Sequence, residues 1–313
     1  MLAGMYGLVS ASFFVVMDAV DVAFTEAAVG AGISTLLMFV VITMTGSSEH
    51  SARHKPLLAL FVVIITGGLL IYGTFDMPYF GDIAAPIHGH VNPRYLNESM
   101  QEIGVPNVVT AVLASYRAFD TFGEVVVIFT AGIGVLAMLS LKNIPEDEAM
   151  RESLNDSMHE QHLILRIVTK MLIPFIMLFA LYVQFHGDYG PGGGFQAGVI
   201  FAAAIILYAM LFGLSTARRV IDQSIIQLIA AIGILLYGCV GIVSILNGDN
   251  FLDYDRLLSE SIAGQHLGIL LIEWGVGCTV ASVMIIIFFN FAGRKEVQLY
   301  NHAQVTDTNK SAE

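Results

Sequence analysis

The sequence predicts an all-α polytopic membrane protein with about eight transmembrane helices in two small bundles. Of 313 residues, 56% are hydrophobic and only 13% charged, and the mean hydropathy is +0.74. The apolar residues fall in blocks about 17 to 25 long separated by short polar breaks, the length a helix needs to cross a ~30 Å hydrocarbon core. The longest segment between blocks has only about 45 residues, well under ordinary domain size, so any chemistry must take place within the membrane.

The spans are expected at 2–19, 24–45, 57–75, 121–141, 165–185, 196–214, 223–246 and 267–291. The first two flank the acidic turn at Asp18 and Asp21, and the second stops at the polar run "SSEHSARHK". The third follows Pro56, and the fourth ends before Lys142. The fifth and sixth flank a glycine-rich break, the seventh follows Asp222, and the eighth stops before Arg294 and Lys295. An even number of spans puts both termini on one side. Sorted on that basis, eleven basic residues (Arg53, Lys55, Lys142, Arg151, Arg166, Lys170, Arg218, Arg219, Arg294, Lys295, Lys310) share a side, and Arg94, Arg117 and Arg256 lie on the other. Lys and Arg concentrate in cytoplasmic loops, so both termini are expected in the cytoplasm. The loop 76–120 and the acidic "NGDNFLDYDRLLSE" then face outward.

Composition excludes several classes of function. A formal net charge of -12 disfavours nucleic acid as a partner. Cys239 and Cys278 both lie within apolar runs and carry no redox or metal role. The start of the chain lacks the charged, short-apolar and small-residue sequence of a cleaved signal peptide, so none is expected. There is no phosphate loop, H-E-x-x-H or CxxC motif, and no cofactor or metal is expected. His88 and His90 are two ligands at most, too few to make a metal site. No internal repeat of the kind that builds many secondary transporters is evident.

Three stretches carry candidate chemistry. In "MDAVDVAFTEAAVGAG", Asp18, Asp21 and Glu26 crowd the turn between the first two spans. Asp21 is expected as a helix N-cap, and the group reads either as a solvated, capped turn or as protonatable carboxylates at the entrance to a buried polar path. The stretch 107–140 would be about 51 Å long as one straight helix, far more than the bilayer needs, so a break is expected. Val109, Val112, Leu113 and Tyr116 mark an interfacial amphipathic piece, and Gly123 marks the change of direction. Arg117, Asp120 and Glu124 would share one helix face, pairing Arg117 with Asp120 and turning Glu124 inward as a proton or cation site, or forming only a structural ion pair.

The third stretch, "QFHGDYGPGGGFQAG", places Pro191, Gly192, Gly193, Gly194 and Phe195 between two spans. Such backbone is tolerated at membrane depth only if it is buried in protein or lines a wet cavity. It reads as a tight turn or as a close-packing element beside an ion path, with His186 and Asp188 placed to relay protons. Lys170 and Glu273 are the remaining charges inside spans; the Lys170 stem can reach the surface, whereas Glu273, beside Trp274, has no such escape.

These motifs resemble a known family. The segment 72–132, with "APIHGHVNPRY" and "YRAFDTFGE", is similar to the C-terminal membrane region of the large A subunit of Mrp-type multisubunit Na+/H+ antiporters. "DVAFTEAAVGAG" is similar to the preceding hairpin, which membrane-bound hydrogenases carry as a separate small subunit. From 163 onward, through "FHGDYGPGGGFQAG", the chain resembles the four-helix B subunit. Val20 stands where the family carries proline, and Met1 falls at the start of the family's second helix.

The resemblance implies four segments: an A-subunit-like module over 1–144, a charged cytoplasmic linker over 145–159, a B-like module over 160–295, and a polar cytoplasmic tail over 296–313. It also implies a subunit that does not catalyse transport alone. Beside large antiporter-like subunits and small membrane subunits, it would help form the path coupling H+ to Na+. Residue by residue it points to Glu26, to Asp120 and Glu124, and to His186 with the 191–195 loop. The alternative it leaves open is the same module in a redox-driven complex, such as a hydrogenase or a complex I-like enzyme.

Overall fold

A computed structural model describes residues 1–45, 56–79, 81–139 and 163–310. All the regular structure there is helical: α1 Leu2–Val16, α2 Val20–Glu26, α3 Ser34–Thr45, α4 Pro56–Thr74, α5 Pro86–Gly89, α6 Val91–Asn97, α7 Ser99–Glu102, α8 Val108–Ala111, α9 Ala118–Leu139, α10 Leu163–His186, α11 Gly194–Phe212, α12 Leu214–Val220, α13 Gln223–Leu246 and α14 Ser261–Lys310. Wide π turns, Ala27–Ile33 and Val112–Tyr116, join α2 to α3 and follow α8.

Seven segments among the described residues are long and apolar enough to cross a membrane. They match seven of the expected spans; the expected 2–19 span is instead the 15-residue α1, about 22 Å long and shorter than the hydrocarbon core. The linker 145–159 and four of the sorted basic residues, Arg53, Lys55, Lys142 and Arg151, lie outside the described residues. The expected tail is continuous with α14 as far as Lys310.

The core is built around α14, which packs on α9, α11 and α13. Without a hydrophobic drive between helices in lipid, close approach has to come from small residues. Gly233 of α13 and Gly275 of α14 face each other so closely that a Cβ on either would lie 2.6 Å from the other's carbonyl oxygen. A Cβ on Gly198 of α11 would lie 2.8 Å from the Gly277 carbonyl oxygen, and one on Gly277 would run into the Gln184 side chain. The N-terminal helix follows the rule too: α1 buries only Gly4, Gly7 and Ala11, and Gly7 lies against the backbone of Gly30 and Ala31 in the first π turn. In contrast, residues 57–74 of α4 bury none of their side chains against the rest of the described chain.

Two local expectations are corrected. The break before α9 falls at Arg117, outside helical geometry at φ -121° and ψ 30°, whereas Gly123 lies inside α9. A π turn leaves carbonyls short of their usual partners, and here hydroxyls supply the donors. Tyr254 donates to the Ala114 carbonyl at 3.1 Å, Tyr237 to that of Ala118 at 2.8 Å, and Thr121 to that of Leu113 at 2.8 Å. The buried stripe of the interfacial piece is Thr110, Ala111, Ala114 and Ala118, not the larger Val109, Val112, Leu113 and Tyr116, because close packing on α14 selects small side chains.

The two loop regions are tied together at the start of α14. Ser115 donates to Gln265 at 2.7 Å, and Gln265 and Ser261 both donate to Asp255, at 2.8 and 2.7 Å. Tyr116 donates to Glu102, which also receives Arg94 at 3.1 Å. The Tyr116 hydrogen bond, followed by Arg94, holds the Glu102 carboxyl below its usual range. Burial, followed by Glu102, pushes the Tyr116 phenol up to about 12.

Candidate functional site

The glycine-rich stretch folds into a turn whose backbone is the floor of a cavity. Gly193 has φ +117°, a conformation open to glycine and strained for other residues, and its N–H donates to the Val183 carbonyl at 3.0 Å. Gly192 approaches the same carbonyl so closely that a Cβ would lie 2.6 Å from it. Gly194 opens α11 directly against the backbone of Glu273 and Gly277 on α14. Each of the three glycines in the run therefore has its own steric or conformational requirement.

Asn107 and Asp21 hold this turn from the other half of the chain. Asn107 caps α8, accepting from the Val109 N–H at 3.0 Å, and its amide donates to the carbonyls of Gly187 and Gly190 at 3.1 and 3.0 Å. Thr110 donates to the Gly187 carbonyl at 2.7 Å. Asp21 accepts from the Gly192 N–H at 3.1 Å, with the Asn107 amide at 3.5 Å. Its expected capping role is corrected, since α2 begins after Ala19 with no side-chain cap and the carboxylate turns instead to the glycine loop. One turn along α2, the Thr25 hydroxyl accepts from the Gln196 amide at 2.9 Å.

Between these elements lies a cavity of about 240 Å³ lined by three carboxylates, Asp21, Glu124 and Glu273, with Thr25, Thr110, Thr121 and Gln196. Glu273 extends from α14 until its Oε1 lies beside Gly187 and Gly193, 3.0 Å from where a Cβ of either would stand. Glu124 comes from the second turn of α9 and is exposed in the isolated chain. The volume admits several water molecules, each taking about 30 Å³ in the liquid. Carboxylates that project from candidate spans into a small cavity, whose wall also carries apolar side chains such as Val22, Leu113 and Ile272, can exchange protons with such water or hold a monovalent cation.

The other predicted residues lie outside this lining. Glu26 folds back over Gly30, whose missing side chain makes the room. Arg117 and Asp120 form an exposed ion pair at 2.5 Å, one turn from Glu124. Lys170 is exposed on α10. His186 stacks on Tyr182 with ring centroids 4.9 Å apart. Asp188 pairs not with His186 but with His266 of α14, at 3.5 Å. Sequence reasoning alone does not single out His266, Asn107, Thr25 or Gln196; of these, only Asn107 carries a local signal, an amide just ahead of a helical stretch.

Comparison with known proteins follows the same division of the chain. A family model described as a domain related to the MnhB subunit of Na+/H+ antiporters matches 164–286, and models described as MBH subunits D and E match 1–47 and 58–156. The chain is 24% identical over 99% of its length to a probable A/B subunit of a K+/H+ antiporter from Rhizobium meliloti, of which it spans 33%. It is 31% identical to the putative antiporter subunit mnhB2 of Staphylococcus aureus, over 44% of this chain and 98% of that one. Among solved structures, it is similar to the Mrp complex of Dietzia sp., with TM-score 0.72, 25% identity, and coverage of 93% of this chain and 32% of that chain. It is also similar to an archaeal membrane-bound sulfane sulfur reductase, with TM-score 0.55, 26% identity, and coverage of 76% and 98%.

Proposed function

Because this chain belongs to the family of the MnhB subunit of Na+/H+ antiporters, joined to segments similar to MBH subunits D and E, we propose that it is a membrane-embedded subunit of a multisubunit monovalent cation/proton antiporter. The observation that carries the mechanism is the cavity at which Asp21, Glu124 and Glu273 converge. Protons pass among these carboxylates and the water between them, and a cation takes the place of a proton when it enters. Asp120, one turn from Glu124 on α9, and its partner Arg117 flank the approach to the cavity. Asp188 with His266 closes the outer side of the glycine loop. Glu26, Lys170 and His186 act outside the cavity, on the faces where the chain meets other subunits.

A carboxylate on a spanning helix with an open side needs a polar neighbour there. The exposure of Glu124 and the lack of buried side chains over residues 57–74 of α4 both support partners, namely the large antiporter-like subunits and small membrane subunits of the complex. The chain crosses a prokaryotic cell membrane, segmented as 1–144, 145–159, 160–295 and 296–313, with α1 as a short eighth crossing that the bilayer meets by local thinning, which leaves both termini in the cytoplasm. Na+ is the exchanged cation, and K+ is the second reading, favoured by the name of the relative that aligns with nearly the whole chain. Residence in a redox-driven complex has less support, since the sulfur reductase match covers less of the chain at a lower TM-score.

The test is to purify the tagged chain gently from its native membrane, identify its companions by mass spectrometry, and assay the complex in liposomes for proton movement on adding Na+ or K+. Antiporter-like companions and cation-dependent exchange support the proposal. Iron–sulfur companions, or transport by this chain alone, overturn it.

A further inference from the structure

Among the residues lining the cavity of carboxylates, Gln196 carries the only amide side chain. Its orientation is fixed by Thr25. The Thr25 hydroxyl donates its single proton to the Asp21 carbonyl at 3.0 Å, so towards Gln196, at 2.9 Å, it can only accept. The amide nitrogen of Gln196 therefore faces Thr25, and the amide oxygen points away from it. That oxygen stands over Gly193, 3.7 Å from where a Cβ would be, and the Glu273 Oε1 lies 3.0 Å from the same point. Gly193 puts no side chain between the two oxygens.

Gln196 is only 8% exposed, and no group among the described residues donates to its oxygen. A buried acceptor without a donor costs free energy, and it calls for a partner that the wall does not supply. The wall limits what that partner is. Three carboxylates line the cavity, with no Lys, Arg or His beside them. The hydroxyls of Thr110 and Thr121 donate to the carbonyls of Gly187 and Leu113, so they have only lone pairs left to offer. Oxygen lone pairs next to this much negative charge suit a hard cation, which takes carboxylate and amide oxygens alike.

Resting on the antiporter reading of the cavity, we infer that Gln196 is a ligand of the exchanged cation: its amide oxygen and the Glu273 carboxylate hold the ion over Gly193. The two ligands have different duties. A carboxylate takes up and releases protons, whereas an amide oxygen only accepts. Gln196 thus serves the cation and leaves the proton to the carboxylates.

The test uses the whole complex in vesicles, with proton movement followed as Na+ or K+ is titrated. Gln196→Met keeps the length of the side chain and removes the oxygen. It is expected to raise the apparent KM for the cation at least about tenfold, the factor that one polar contact to a charged group supplies. Turnover at saturating cation is expected to stay unchanged, the sign of lost binding without a lost step. Gln196→Glu, which keeps an oxygen at this place, is expected not to raise the KM. Thr25→Val frees the amide to turn and is expected to raise it, so the inference is tested even if Gln196→Met fails to assemble. An unaltered KM in either Gln196→Met or Thr25→Val overturns the inference alone, as does a KM raised by Gln196→Glu as far as by Gln196→Met. Absence of exchange with both cations in the wild-type complex overturns the antiporter reading, and the inference with it.

Discussion

Asp21 and Gly192 are 171 residues apart in sequence, and the carboxylate of one accepts a hydrogen bond from the backbone of the other at 3.1 Å. The bond fixes the glycine loop against the N-terminal hairpin and brings a charged group to the cavity wall. Structure and charge can therefore be separated by substitution. Asp21→Asn keeps an acceptor for the Gly192 N–H, and is expected to preserve thermal stability while abolishing cation-dependent proton exchange in vesicles. Asp21→Ala removes the acceptor as well, and is expected to cost about 1–3 kcal/mol in addition. Full exchange by the Asn variant would exclude the carboxylate from the path.

Glu124 and Glu273 line the cavity, whereas Asp120 pairs with Arg117 in the open. Glu124→Gln and Glu273→Gln are each expected to lower exchange by at least about tenfold with the complex still assembled, an effect worth about 1.4 kcal/mol or more on the transport barrier. Asp120→Asn is expected to change stability by no more than about 1 kcal/mol, as for other exposed ion pairs. Dye-quench transport assays alongside native gels distinguish these outcomes, and unaltered exchange in either glutamine variant would remove that residue from the path.

Gly194 and Gly123 make a matched pair of tests. A Cβ at Gly194 would overlap the α14 backbone, whereas one at Gly123 meets nothing within 4 Å. Gly194→Ala is expected to destabilise by about 1–3 kcal/mol, the usual cost of overpacking. Gly123→Ala, in a helix interior, is expected to stabilise by about 0.5–1 kcal/mol in the isolated chain. Thermal unfolding in detergent measures both, and equal midpoints for the two variants would contradict the close crossing.

Tyr116 gives a prediction about pH. Its folded value, about 12, is raised above the ordinary phenol value near 10. The neutral phenol is thus favoured by folding, and its contribution is fully present below about pH 10 and is lost as pH rises towards 12. Tyr116→Phe is expected to flatten that part of the stability profile relative to wild type. Glu102 acts in the opposite direction: its carboxyl is held low, so its contribution is present above its unfolded value and is lost on acidification. Superimposable alkaline profiles for wild type and Tyr116→Phe would argue against the half-buried phenol and its bond to Glu102.

Much of the architecture is legible in the sequence because lipid imposes long apolar runs, and seven of them are seen as spans. The break at Arg117 is not, because a π turn leaves no periodic signature and Gly123 is the more conspicuous residue. The membership of the cavity is less legible still. Asp21, Glu124 and Glu273 can each be noticed as a charge at membrane depth, but nothing along the chain shows that they face one space. Asn107 resembles any residue that begins a helix until its amide is seen holding Gly187 and Gly190. The pairing of Asp188 with His266 similarly depends on how α14 lies across the loop.

The cavity draws Asp21, Thr25, Thr110 and Glu124 from one half of the polypeptide and the glycine loop and Glu273 from the other. With both halves on one strand of protein, their meeting is an intramolecular event governed by an effective concentration, independent of how many copies the cell makes. Neither half can be present in excess, and dilution of the membrane cannot separate them. Joining the halves thus turns a two-body encounter into a step of folding, and fixes the stoichiometry of the cavity at one to one.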